Sequence, residues 1–308
     1  MKTRNFTNYL FFSFLLLFLG TACNNSPGQE SSHEEVRPVD SIPRIIEKEE
    51  PPYVITYHLD SISNIKSFDS IYSADGKRII YALNRLEAVR VSGGTVLLIP
   101  DSLSTDLNFY SPFPKQLEIL DSIPKTVLIA QRIQAFGLYE HGNLIKWGPV
   151  SSGKQSTPTP NGLHYGNYKA QRKVSTVNSS WILPYYFNFM NFEGVGVHQY
   201  LLPGFPASHA CVRLDMEDAK YIYNWARQWQ LDPRGRTIEK NGTPFMVFGE
   251  YDFTSETPPW FLLASDPAAN ALSNSELDTL ENYVQSYIKD PKNFPEKDEE
   301  IKGLLAKL

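Results

Sequence analysis

Cysteine is nearly absent: only Cys23 and Cys211 occur among 308 residues, and the six histidines are scattered. Thiols can therefore build neither a disulfide framework nor a four-ligand zinc cluster. Excess positive charge is lacking too, because 29 Lys and Arg face 34 Asp and Glu for a net charge of −5. A phosphate backbone would find no global attraction, which argues against nucleic acid as a partner. No apolar run is long enough to span a bilayer. The longest, residues 9–19, reaches roughly 16 Å as a helix against a hydrocarbon core of roughly 30 Å. What is present is core-forming material, 42% hydrophobic and 13% aromatic residues, in a length that suggests about two domains.

Lys2 and Arg4, the apolar run and the small residues Gly20, Thr21 and Ala22 precede Cys23 directly. This is the layout of an export signal over residues 1–22. It resembles a bacterial lipoprotein signal, although Gly20 stands where that family usually has Leu. The resemblance implies that Cys23 is lipidated and becomes the first residue of a mature protein tethered to a bacterial membrane on the periplasmic side of the cell envelope. An ordinary cleaved signal with an incidental Cys is the alternative. Residues 23–52 then read as a disordered, acidic tether, rich in Ser, Pro, Gly and Glu.

Residues 53–124 read as a small α+β module. Residues 94–100 (Gly-Thr-Val-Leu-Leu-Ile-Pro) are its clearest strand, whereas Arg78 to Ala82 fits a strand or, given Leu83, Leu86 and Val89, better a helix. The stretch 82–101 resembles the second half of a LysM-type glycan-binding repeat; a degenerate packing module is the alternative. From 125 to 253 strand patterns dominate, with a hairpin expected at Glu140-His-Gly-Asn143. The aromatic residues of 181–192 are expected to form core or to line a cleft. Asp215 and Asp218 are expected to open a helix whose N-terminus favours an anion. Residues 242–248 supply a last strand. The tail, 254–308, predicts a helix opened by Ser273-x-x-Glu276 or Ser275-x-x-Asp278, with Leu277, Leu280, Tyr283, Val284 and Ile288 on one face.

Chemistry concentrates in residues 194–214, Gly-Val-Gly-Val-His-Gln-Tyr-Leu-Leu-Pro-Gly-Phe-Pro-Ala-Ser-His-Ala-Cys-Val-Arg-Leu. Thiol catalysis needs a thiolate, a base for its proton and donors for an oxyanion. Cys211, the imidazoles of His198 and His209, and the backbone of a small-residue turn at Ala210 offer all three. An inert buried Cys is the bland reading, and a zinc site from His198, His209 and Cys211 is a second alternative.

Ser208, His209, Cys211, Val212 and Arg213, with His198 upstream and Pro149 to Gly162 before it, resemble the motifs of the L,D-transpeptidase catalytic family. Ala210 replaces the glycine usual in that family. The resemblance implies a mainly β, β-sandwich-like catalytic domain with a helix after the Cys, and no cofactor or metal. Cys211 would be the nucleophile, His198 its activating base, and His209 a pocket-shaping residue. The amides around Ala210 would form the oxyanion hole, with Ser208 fixing the loop. Arg213, Gln199 and Tyr200 would bind substrate, a role that for Arg213 competes with structural pairing. The implied reaction is acyl transfer from a peptidoglycan tetrapeptide stem, through a Cys211 thioester, to an amine or to water, by a monomer. A catalytically silent stem-binding lipoprotein remains the other reading.

Overall fold

The computed structural model describes residues 55–294. Cys23, the signal and the acidic tether lie outside them, as does the end of the tail. The described residues all fall within one compact unit, 45–308.

The chain opens with β1 (Tyr57–Ser61), α1 (Ile65–Ile71), α2 (Ala74–Leu83) and β2 (Val96–Pro100), with β2 antiparallel to β1. The side chains of Asn64 and Ser73 accept the amides of Ser67 and Gly76 and so start the two helices. The ambiguous run at Arg78 is therefore helical. The helix stops where Arg85 turns left-handed, at φ 55°, so Leu86 and Val89 lie beyond it.

Five strands form the main sheet in the order β5 (Asn143–Pro149), β4 (Ala135–Glu140), β3 (Thr126–Ala130), β13 (Pro244–Phe248), β6 (Gly162–Tyr165). Within it β13 runs parallel to β3, and the other pairings are antiparallel. The hairpin at 140–143 closes through His141 (φ 44°) and Gly142 (φ 73°), a two-residue turn with both central residues left-handed. A Cβ at Gly142 would come within 2.1 Å of Asp121 Oδ1, so the turn requires glycine.

Both faces of this sheet are buried, which explains unbroken apolar runs such as Thr-Val-Leu-Ile-Ala in β3. Val127, Ile129, Phe136, Phe245 and Val247 face a second sheet, ordered β10 (Val212–Leu214), β9 (Val195–Gln199), β8 (Ile182–Met190), β7 (Lys169–Val174). Helix α3 (Met216–Trp225) seals that sandwich through Ala219 and Ile222. A short hairpin, β11 (Gln230–Leu231) with β12 (Ile238–Lys240), lies between α3 and β13. Leu128, Ala130, Trp147, Met246 and Phe248 point the other way, against Ile79 and Leu83 of α2 and Leu277, Leu280, Val284 and Tyr287 of α4 (Asn274–Lys289). The capping box of α4 uses Ser273 and Glu276, the first of the two predicted pairs. Ile288, expected on its apolar face, is 46% exposed, and Tyr287 takes the buried place. No helix among the described residues is long and apolar enough to cross a membrane.

Candidate active site

Strand β10 pairs parallel with β9, setting Val212 against Val197 and Arg213 against His198. The connector 199–207 must therefore cross over, and it delivers the turn 208–211 at the start of β10, beside the imidazole of β9. Cys211, His198, His209, Ser208, Ala210, Arg213 and Tyr200 all line one open groove. Gln199 does not line it; its carbonyl oxygen instead accepts a hydrogen bond from His198 Nδ1 at 2.9 Å. Because a carbonyl can only accept, the proton of neutral His198 sits on Nδ1 and Nε2 keeps its lone pair.

Burial, reinforced by the charge of Arg213, lowers the His198 pKa to about 4, so the ring is a free base at neutral pH. Burial likewise pushes the Cys211 thiol up, outweighing the Gly196 amide and Arg213, which pull it down. The thiol donates to Gly194 O at 3.9 Å, and no hydrogen bond joins it to His198 among the described residues. The resting site is thus a neutral thiol and a neutral imidazole sharing a groove. Helix α3 does not face the thiol: β10 intervenes, and Asp215, Glu217 and Asp218 at its N-terminus line a separate cavity.

The turn itself is held by the Gly-Lys…Thr-Pro-Thr-Pro loop. Ala210 adopts φ 72°, the left-handed conformation that glycine occupies without strain. Its amide donates to Thr157 O at 3.1 Å and its carbonyl accepts from Thr159 Oγ1 at 2.7 Å. Thr159 Oγ1 also accepts the Gly153 amide, while Thr157 Oγ1 and the Lys154 amide both donate to Ser208 O. Gly153 has to be glycine, since a Cβ there would lie 2.2 Å from Thr157 O. Ser208 Oγ donates to Cys211 O, closing the turn from inside. The Ala210 amide is consequently committed and cannot serve an oxyanion. The amides of His209 and Cys211 make no hydrogen bond among the described residues and remain available.

His209 stands 5.3 Å from the Trp181 ring, with Nε2 3.3 Å from Lys154 Nζ and Nδ1 buried without a partner. Arg213 donates to Ala207 O at 2.8 Å and packs 4.8 Å from the Tyr200 ring, so much of its capacity is structural although it lines the groove. Trp181 and Tyr186, from the aromatic run, also line the groove, while Phe187 and Phe189 of the same strand are core. Tyr186 hydroxyl donates to Gly194 O at 2.6 Å and accepts from Asn188 Nδ2, fixing the carbonyl that receives the thiol proton. Nothing in the sequence singled out Tyr186, Lys154, Thr157 or Thr159 as individual site residues; the loop motif carrying the last three was the available signal. Among the described residues no three His, Cys, Asp or Glu side chains converge as metal ligands.

Residues 125–247 match the family model of the L,D-transpeptidase catalytic domain, YkuD. Among solved structures, an L,D-transpeptidase from Stackebrandtia nassauensis is 26% identical with a TM-score of 0.35, covering 43% of this chain and 59% of that one. L,D-transpeptidase 1 of Mycobacterium tuberculosis is 22% identical, TM-score 0.30, over 41% and 62% of the two chains. An L,D-transpeptidase from Mycobacterium smegmatis is 17% identical, TM-score 0.33, over 41% and 59%. The matched region thus spans less than two thirds of each of these proteins. No curated protein matches the chain.

Proposed function

We propose that the protein is a peptidoglycan L,D-transpeptidase, an acyltransferase with Cys211 as nucleophile. The supporting observation is the convergence, within the matched segment, of Cys211, a base-form His198 and two uncommitted amides on one groove. His198 Nε2 takes the thiol proton as sulfur attacks the carbonyl of the third residue of a tetrapeptide stem. Because thiol and ring are both neutral at rest, proton transfer accompanies attack rather than preceding it. The amides of Cys211 and His209 hold the oxyanion. Collapse breaks the C–N bond, the His198 proton goes to the departing D-Ala amine, and the thioester remains. An acceptor amine then attacks the thioester, His198 takes its proton, and the thiol is restored. An amine from a second stem yields a 3-3 cross-link, a protein lysine yields attachment, and water makes the enzyme a carboxypeptidase. Lipid attachment at Cys23 and a periplasmic location complete the proposal and rest on the sequence alone.

A silent stem-binding lipoprotein is the second reading, favoured by the protonated thiol and its missing bond to His198. Incubating the full chain with tetrapeptide muropeptides, and separately with a carbapenem, separates the two by mass spectrometry. Transfer product and a carbapenem adduct on Cys211, both lost in Cys211→Ala, support the enzyme. Binding to sacculi with no product and no adduct supports the silent protein.

A further inference from the structure

We infer that the turn 85–87, contributed by the segment before the matched domain, is a positioning element for the nucleophile. Its target is the connector 199–207, which carries Pro203, Gly204 and Pro206, forms no helix or strand beyond Gln199, and joins His198 to Ser208. Such a stretch samples many conformations unless its backbone groups are tied down.

On one side the matched domain ties it itself: Arg213 donates to Ala207 O, and Ser151 Oγ donates to Phe205 O at 2.8 Å. On the other side the ties come from the turn. Leu86 forms an antiparallel bridge with Pro203, the Glu87 amide donates to Leu202 O at 3.1 Å, and the Gly204 amide donates to Arg85 O at 2.9 Å. Gly204 lies at φ 88°, and a Cβ there would stand 3.0 Å from Leu86 Cδ2, so the two chains meet at close range.

The turn is itself anchored. Arg85, 1% exposed, stacks its guanidinium 4.7 Å from the Trp260 ring and 5.9 Å from Trp147, and its Nε donates to Ile133 O at 3.0 Å. A rigid turn thus grips the strand-like middle of a connector whose two ends carry the base and the nucleophile. Releasing the grip lets water reach a thiol whose proton affinity burial has raised, and misplaces Cys211 against His198. The acyl-transfer consequence rests on the proposed function; the thiol consequence does not.

The test uses the full chain with Glu87→Pro, which deletes the one amide donated to Leu202 O. Glu87 is extended at φ −94°, so proline, fixed near −65°, asks for a backbone rotation of about 30° there. Glu87→Ala keeps the amide and controls for the lost carboxylate. Gly204→Ala perturbs the same contact from the connector side and decides the matter if Glu87→Pro does not fold. Peptide-resolved iodoacetamide alkylation reads Cys211 separately from Cys23 across pH, and amide exchange reads 200–210. With circular dichroism unchanged, Glu87→Pro and Gly204→Ala should shift the Cys211 alkylation midpoint down toward that of an ordinary thiol and speed exchange at 200–210. Carbapenem acylation should fall about tenfold or more, and Glu87→Ala, which keeps the amide donor but loses the carboxylate's bond to the Leu202 backbone, should move each readout less than Glu87→Pro. Folded variants with the wild-type alkylation profile and exchange would overturn the inference. A wild-type chain that is never acylated would instead sink the proposed function, leaving alkylation and exchange to judge the turn.

Discussion

Ala210 shows how one methyl group sets the demands on its neighbours. A left-handed alanine costs roughly 1–2 kcal/mol, and such a residue persists only where surrounding contacts over-determine it. Here the contacts are Thr157 O on its amide and Thr159 Oγ1 on its carbonyl. Ala210→Gly removes the strain but adds unfolded-state entropy, so a net gain of roughly 0.5–1 kcal/mol is expected in the denaturant midpoint. Thr159→Val leaves the Gly153 amide and the Ala210 carbonyl without their partner at a site only 2% exposed. The expected loss is about 2–3 kcal/mol, and Thr159→Ser, which keeps the hydroxyl, should recover most of it in the same titration. The motif placed Cys211 and His198 in one short segment and put Ala210 where the resembled family has glycine. That the Ala210 amide is spent was not visible there, because its partner, Thr157 O, lies 53 residues away and is brought to it by the fold.

Helix α3 was legible as an element, with Asp215 as its cap accepting the Asp218 amide, but not in its role. Its acidic first turn lines a cavity shared with α2 and the turn 85–87. There Asp218 pairs with Lys146 at 2.8 Å, yet burial and the neighbouring Asp215 outweigh that lysine and raise its pKa to about 7. The folded protein therefore holds a proton that the unfolded chain releases between pH 3.8 and 7, so this group favours the fold at acid pH and ceases to as pH rises through 7. His198 acts in the opposite sense. Its folded pKa of about 4 lies below the unfolded value, so its contribution is present above pH 6.5 and fades as pH falls toward 4. The two effects are of similar size and largely offset each other in wild type. Asp218→Asn removes only the first, so between pH 7 and 4 this variant should lose about 3 kcal/mol relative to wild type in urea titrations.

On the scale of the whole molecule, the five-stranded sheet needs cover on both faces, and the matched domain supplies only one. The other face is covered by α2 from the preceding segment and α4 from the tail. Arg85 joins all three parts by stacking on Trp147 and Trp260. A chain ending at Phe253 would expose Met246 and Phe248 to water and lose the side chains of Leu277, Leu280 and Val284. Burial of side chains of this size contributes about 1.5–3 kcal/mol each, and the sum is comparable with the whole stability of an ordinary domain. Such a truncation should yield an insoluble or protease-sensitive product, checked by limited proteolysis against the full chain.

The helices opening at Ala74, Met216 and Asn274, the two-residue turn at His141-Gly142 and the capping box at Ser273 were set by local sequence, since periodicity, positive-φ turns and caps act within a few residues. So were the identities of the thiol and its neighbouring imidazole, through a compact motif. Tertiary structure alone decided that burial raises the thiol's proton affinity further, which amides stay free for an oxyanion, and which outer segments hold the connector. Desolvation and hydrogen-bond partnership depend on what packs against a group from far along the chain, and no spacing within the motif encodes that.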